Sequence, residues 1–304
     1  MVTFKLTILG SGSALPTLHR NPTSQLLQYD SLCILLDCAE GTQLQLKRFK
    51  KSPMQIAHIL ISHLHGDHYF GLIGLITSLH LMGRTKPLHI YGPAQLFDII
   101  QLQLNAAKTK LHYPLSFEPL NPDGQDVIFE DDKLTIDSFP VKHRIPTWGF
   151  LFKEKPSDRR INKDFIAEYN PDIEQCKAIK SGADFVQADG SIVPNERITS
   201  APHPPRSYAF CTDTAYTEAI VPIIEKVTLL YHESTFVAEM SEEADQTYHS
   251  TTAEAARIAH LAKADKLILG HYSSRYRDTK PLEDEAKKVF PNTIAADDGL
   301  EIHI

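Results

Sequence analysis

The sequence predicts an α/β fold in which mixed β-sheets are covered by helices, and three observations carry that prediction. Short apolar or alternating runs of strand length recur along the whole chain, helical patterns separate several of them, and clusters of chemistry-bearing residues directly follow strand-like runs. Strands are expected at about 3–9, 24–29, 32–37, 56–61, 88–91, 115–120, 133–139, 147–152, 206–211, 227–231, 266–270 and 299–304. Helices are expected at about 41–49, 69–82, 94–105, 251–262 and 282–289, with Thr251 and Glu254 spaced as a capping box. A helix between two strands implies a parallel crossover, and a bare turn implies a hairpin, so both pairings should occur.

From about 153 to 205 the pattern weakens. The segment opens with Lys153-Glu154-Lys155-Pro156-Ser157-Asp158-Arg159-Arg160 and closes on the proline-rich Ala201–Arg206. Helical stretches near 164–169 and 172–180 mark it as an ordered arm inserted into a single domain spanning 1–304. No repeat and no low-complexity tract interrupts the rest.

With 304 residues, 42% hydrophobic and 23% charged, the composition is that of a soluble globular protein. No apolar run approaches the roughly 20 residues that span a bilayer, so no membrane partner is expected. The N-terminal stretch Met1–Ser13 lacks a charged leader and a small-residue cleavage site, which makes a cytoplasmic location the default expectation. Cys33, Cys38, Cys176 and Cys211 are scattered and form no close pair, arguing against a disulfide framework or an all-thiolate metal site. A net charge of -7 gives no general attraction to nucleic acid, so an RNA partner must be gripped by local basic patches.

The chemistry is concentrated after the expected strand at 56–61. There the chain reads Ser62-His63-Leu64-His65-Gly66-Asp67-His68, four potential ligands in six residues. In extended backbone His63 and His65 point to the same side, and a turn at Gly66 can redirect Asp67 and His68 towards a second cation. Imidazole with carboxylate suits zinc and similar transition ions, and two adjacent ions can clamp an in-line displacement. Further candidate ligands follow later apolar runs: His143, Asp213 and His271. Each would emerge at a strand end, where α/β architectures gather functional groups.

Beyond these residues the chain resembles the ribonuclease Z family, the tRNA 3′-processing endonucleases, in its short form. The resemblance runs almost end to end. It rests on Gly10–Pro16 with Arg20-Asn21, Asp37–Gln43, the histidine cluster, His143-Arg144 with Trp148-Gly149-Phe150, Cys211–Thr214, His232–Phe236, His249-Ser250-Thr251 and Gly270–Tyr276. It implies a metallo-β-lactamase αββα sandwich, two mixed sheets flanked by helices, with the inserted arm. It further implies two Zn2+ per subunit, with Mn2+ or another divalent ion as substitute. One ion would be held by His63, His65 and His143 and the other by Asp67, His68 and His271, with Asp213 bridging. Asp67 would also orient the attacking water and accept its proton, and His249, poised by Glu233, would protonate the leaving oxygen. Ser273, Ser274 and Arg275 are candidate contacts to substrate phosphate.

The implied function is a zinc-dependent endoribonuclease acting on precursor tRNA as a homodimer. It would leave a 3′-hydroxyl on the tRNA body and a 5′-phosphate on the trailer. Family arms often carry a glycine- and proline-rich tip. Here the tip is missing, and Asp158, Asp164, Glu168, Asp172 and Glu174 offset Arg159, Arg160, Lys163, Lys177 and Lys180. A small-molecule hydrolase of the same fold is the nearest alternative, and a non-catalytic RNA-binding scaffold a further one.

Overall fold

The protein is described from a computed structural model that covers residues 2–187 and 189–304. The chain begins with three antiparallel strands: β1 (Phe4–Gly10), β2 (Ser24–Tyr29) and β3 (Leu32–Leu36). From there it alternates helix and strand through α1 (Thr42–Arg48), β4 (His58–Leu60), α2 (Gly66–Tyr69), α3 (Leu72–Leu81), β5 (Leu88–Gly92), α4 (Gln95–Ala106) and β6 (Leu115–Pro119). The strands β3 to β6 pair in parallel, as crossovers through helices require. Next come β7 (Asp126–Glu130), β8 (Leu134–Pro140) and β9 (Trp148–Glu154).

The chain then runs through β10 (Arg160–Ile161), α5 (Lys163–Tyr169), α6 (Ile173–Lys180), β11 (Phe185–Val186), β12 (Ile192–Val193), α7 (Asn195–Ile198) and β13 (Thr199–Ser200). A second parallel series follows: β14 (Ser207–Cys211), β15 (Leu229–Glu233), α8 (Ser241–Thr247), α9 (Thr252–Leu261), β16 (Lys266–Gly270), α10 (Lys280–Lys287) and β17 (Thr293–Ala295). The last strand, β18 (Glu301–His303), returns to pair antiparallel with β1.

Two seven-stranded sheets result, in the orders β18-β1-β2-β3-β4-β5-β6 and β17-β16-β15-β14-β9-β8-β7. Period-two alternation gives each sheet two apolar faces. On the first sheet Leu9, Leu26, Leu35, Ile59 and Ile90 pack into one core with Leu46 of α1, Leu75, Ile76 and Leu79 of α3, and Leu96 and Ile100 of α4. On the second, Leu151, Ala209, Leu230, Leu267 and Leu269 pack with Ala255, Ile258 and Ala259 of α9 and Leu282 and Ala286 of α10. Residues of opposite parity carry stacked aromatics, with Phe210 5.2 Å from Tyr231 and Phe152 5.8 Å from Tyr208. The Tyr208 hydroxyl donates to Gln25 of β2, which ties the inner faces of the two sheets together. This is the αββα arrangement, two mixed sheets with helices on the outer faces.

The expected helix over 69–82 is interrupted, and α2 and α3 meet at Phe70-Gly71. Gly71 donates its N–H to the Cys38 carbonyl at 2.9 Å, and a Cβ there would lie 2.1 Å from the Ala39 oxygen. Backbone docking therefore replaces helix continuation. The expected capping box at α9 is formed: Thr251 and Glu254 exchange hydrogen bonds. The strands β7 and β17 and the helix α8 were not anticipated, since each is a short element with little periodic signal.

Contacts divide the chain into two compact units. One runs to Phe129 and takes in Ile136–Phe152 and Ser207–Ile304; the other comprises Glu130–Thr135 and Lys153–Arg206. The smaller unit has its own core of Phe165, Ile179, Phe185 and Ile198, with Phe165 and Phe185 edge to face at 5.0 Å. Its helix α6 is closed by a capping box between Asp172 and Gln175. Arg159 donates to Thr199 at 2.8 Å, and Lys177 pairs with Glu174 on the surface.

Candidate metal centre

Every chemistry-bearing side chain of the cluster sits at or just beyond a strand end in the larger unit. His63, His65 and Asp67 lie in the β4–α2 connection and the first turn of α2, where Asp67 also suits the positive end of the helix. At Gly66 a Cβ would meet the exposed Phe70 ring at 2.2 Å, so a side chain there would displace that ring from the cleft rim. Asp213 follows β14 and His271 follows β16, with φ of 24° and 58°. Left-handed backbone at non-glycine residues costs free energy and persists where the surroundings impose it. Asp37, at φ 53° immediately after β3, shares this conformation.

The donors converge in overlapping groups: Asp213, His249 and His271 have donor atoms within 4.8 Å of one another, as do two further sets, His63, His65, His143 and Asp213 on one side and Asp67, His68 and His271 on the other. Asp213 stands between them. Its Oδ2 is 3.5 Å from His63 Nε2 and 3.9 Å from His143 Nε2, while its Oδ1 is 3.3 Å from His68 Nε2 and 3.0 Å from His271 Nε2. Asp67 Oδ2 lies 3.4 Å from His68 Nε2 and 3.6 Å from His271 Nε2, and it accepts the Ala14 N–H at 2.7 Å.

Several observations test whether these residues fit divalent cations. The Nε2 atoms of His68 and His271 are buried and make no hydrogen bond despite their nearness to carboxylate oxygens. Lone pairs aimed at a common point satisfy that geometry; N–H groups do not. The far ring nitrogens are held instead: His63 Nδ1 by Ser62 Oγ at 3.0 Å, His68 Nδ1 by Asp37 at 2.7 Å, His143 Nδ1 by the Tyr248 carbonyl at 2.9 Å and His271 Nδ1 by Thr235 Oγ1 at 2.9 Å. Such outer contacts fix the tautomer that leaves the inner nitrogen free to ligate.

Electrostatics agree. Burial pushes the His63 pKa down to about 3, keeping it a neutral donor. Burial would also lower His68, but Asp213, Asp67 and Asp37 raise it well above its ordinary value, the mark of surplus buried negative charge. Burial opposes ionisation of Asp67, yet His68 and His271 hold its carboxyl well below the usual range. Two carboxylates among buried imidazoles, with more negative charge than His63, His65 and His143 can balance, make the donor set of a divalent-metal centre.

Beside it lies a buried acid–base pair. Glu233, at the end of β15, is fully buried, and its Oε1 sits 2.8 Å from His249 Nδ1. Burial alone would lower the His249 pKa, but the Glu233 charge and hydrogen bond overcome it and raise the value to about 9. His249 lines the same cleft as His65, Asp67, Asp213 and His271, a cavity of about 520 Å³ rimmed by the exposed Leu15 and Phe70. Ser273, Ser274 and Arg275 lie outside that lining; Arg275 is paired with Glu243 at 2.8 Å and sits over the Phe236 ring. Asp37, Ser62 and Thr235 hold the imidazoles in place, and sequence reasoning gave them no role. Their signals are a place within two residues of the end of a buried strand and a place in the segments that carry the family resemblance, neither of which assigns a role.

Fold and donor set together define a metallo-β-lactamase-fold protein with a two-pocket His/Asp centre. Comparison with known proteins narrows the class. Ribonuclease Z of Parabacteroides distasonis is 42% identical over 304 residues, all of both chains. Among solved structures, the short form of human tRNase Z superposes with a TM-score of 0.71 at 26% identity, covering 99% of each chain. The metallo-β-lactamase fold protein YhfI of Bacillus subtilis superposes at 0.70 and 21% identity, covering 99% of this chain and 100% of its own. The chain belongs to the ribonuclease Z family, and its residues 4–187 also match the family model described as Anti-Pycsar protein Apyc1.

Proposed function

We propose that this protein is an endoribonuclease that removes the 3′ trailer from precursor tRNA, leaving a tRNA 3′-hydroxyl and a 5′-phosphate on the trailer. The observation that carries the reading is one cleft lined by members of both Asp213-bridged donor groups and by His249, which is backed by the buried Glu233. The full-length similarity to ribonuclease Z supports it.

His63, His65, His143 and Asp213 Oδ2 would hold one zinc ion, and Asp67, His68, His271 and Asp213 Oδ1 a second, with manganese a workable substitute. Bound there, the ions would offset the phosphate charge and make a water nucleophilic at neutral pH. Asp67, fixed by the Ala14 N–H, orients the attacking water and takes its proton. His249 keeps its proton at neutral pH because Glu233 holds Nδ1, which leaves Nε2–H to protonate the departing 3′ oxygen.

The segment Lys153–Arg206 would be a tRNA-gripping arm, with the exposed Lys163, Lys177 and Lys180 as its phosphate contacts. In a homodimer, one subunit's arm would hold tRNA cut by the other. Ser273, Ser274 and Arg275 remain candidate phosphate contacts once Arg275 exchanges Glu243 for RNA. Among the described residues no helix is long and apolar enough to cross a membrane, and all four cysteines are free, which accords with action in the cytoplasm.

A second reading is hydrolysis of a small phosphodiester, favoured by a cleft whose 520 Å³ matches a small ligand. One experiment separates the two. A 5′-labelled, 3′-extended precursor tRNA is incubated with metal-loaded protein and with His65→Ala, beside a cyclic phosphodiester. Cleavage at the acceptor-stem boundary, lost in the variant, supports the tRNA reading. An intact precursor with a hydrolysed diester rejects it in favour of the second.

A further inference from the structure

Thr235 is buried two residues beyond β15, and its single hydroxyl lies at the meeting point of two functional groups. Oγ1 is 2.8 Å from Glu233 Oε2, 2.9 Å from His271 Nδ1, 3.0 Å from the His271 carbonyl and 3.4 Å from His249 Nδ1. A threonine hydroxyl has one proton to give and lone pairs to receive. Given to the carboxylate, the stronger acceptor, that proton leaves Oγ1 to accept from His271 Nδ1–H. The second Glu233 oxygen meanwhile accepts from His249 Nδ1 and from the Thr214 N–H, and the Thr235 N–H bonds Oε2 at 3.0 Å. All the acceptor positions of this buried carboxylate are thereby used.

We propose that Thr235 is a positioning residue that couples the metal-binding side of the centre to its proton donor. His271 Nδ1–H donates to Thr235, Thr235 donates to Glu233, and His249 Nδ1–H donates to the same carboxylate. One hydroxyl thus sets the tautomer that presents His271 Nε2 as a ligand and also braces the carboxylate that orients His249. The buried, unbonded Nε2 of His271 is the independent sign that its Nδ1 carries the hydrogen. The inference rests on the metal-dependent reading above and extends it, because metal retention and proton donation then fail together.

Thr235→Val keeps the shape of the side chain and removes the hydroxyl. Zinc affinity, read by chelator competition on the full chain without RNA, should weaken about 10–100-fold. On 3′-extended precursor tRNA, kcat should fall about tenfold or more with zinc saturating and KM unchanged. Thr235→Ser should restore both. A folded Thr235→Val protein that binds zinc and turns over as the wild type does overturns the proposal, as does a Thr235→Ser protein impaired to the same degree. If Thr235→Val fails to fold, Thr235→Cys, a weak donor of similar size, carries the same comparison. Because zinc is measured without RNA, a wild type that leaves precursor tRNA intact would reject the functional reading while the zinc result still decides the role of Thr235.

Discussion

The two sheets supply the centre in different ways. The first delivers His63, His65, Asp67 and His68 from one short connection after β4. The second delivers His143, Asp213 and His271 singly, from beyond three separate strands, two of them in left-handed backbone. The contiguous set is placed by local geometry, and the dispersed set is placed by the sheet as a whole. The dispersed side should therefore be the more sensitive to single changes. Asp213 is the extreme case, since its two oxygens face both donor groups. Asp213→Ala should abolish both metal sites and lower activity by more than about 10³-fold. His65→Ala should cost one ion and leave the other. Metal analysis of the two variants is the check, and equal stoichiometry would erase the contrast.

His249 sharpens the comparison from within the second sheet's side, because the proposed mechanism uses it as a proton donor although it also comes within 4.8 Å of donor atoms of Asp213 and His271. His249→Gln should lower kcat about 10²–10⁴-fold while metal content stays at the wild-type value. Loss of metal in this variant would move His249 from proton donor to structural support. Asp37 tests the first sheet in the same manner. It accepts from His68 Nδ1, the Ser62 hydroxyl and the Ser62 N–H, although burial raises its pKa against their pull. Asp37→Asn should loosen the ion shared by His68 about 10–100-fold, measured by chelator competition, with the three-histidine pocket nearly unaffected.

How far the sequence revealed all this follows the same division. The H-x-H-x-D-H spacing could be read directly because extended backbone at His65 and the opening of α2 at Gly66 fix where four closely spaced side chains point. His143, Asp213 and His271 carry no such spacing, and only their shared place after apolar runs, with the family resemblance, drew them together. The architecture was legible where strands are long and apolar. It was missed at β7, α8 and β17, and at the break between α2 and α3. There a tertiary contact, Gly71 against Cys38, overrides a continuous helical pattern. Asp37 and Thr235 escaped for a related reason: the imidazoles they hold, His68 and His271, come from distant segments, and nothing local distinguishes them from strand-end turn residues.

The smallest expected effect lies along one short stretch of chain. His58 opens β4 and His63 lies three residues past its end; both are buried, and burial lowers the pKa of each. Only His63 has a carboxylate near its ring, at 3.5 Å. His58 is instead stacked on His89 at 4.9 Å, meets the Phe129 ring edge to face at 4.8 Å, and lies 3.4 Å from the Tyr91 hydroxyl. Burial, with the nearby His89, pushes its pKa down to about 4. The unfolded chain then binds the proton near pH 6.5 and the folded chain only near pH 4, so stability is complete above pH 6.5 and falls as pH drops through that window. The loss should be on the order of 2 kcal/mol, and His58→Phe, which cannot take up a proton, should remove it. Denaturant unfolding of both proteins between pH 4 and 7 supplies the test, because the difference between the two profiles cancels the other titrating groups. Parallel profiles would mean that His58 takes up its proton as readily in the fold as in the unfolded chain, so that burial in this sheet core does not lower its pKa.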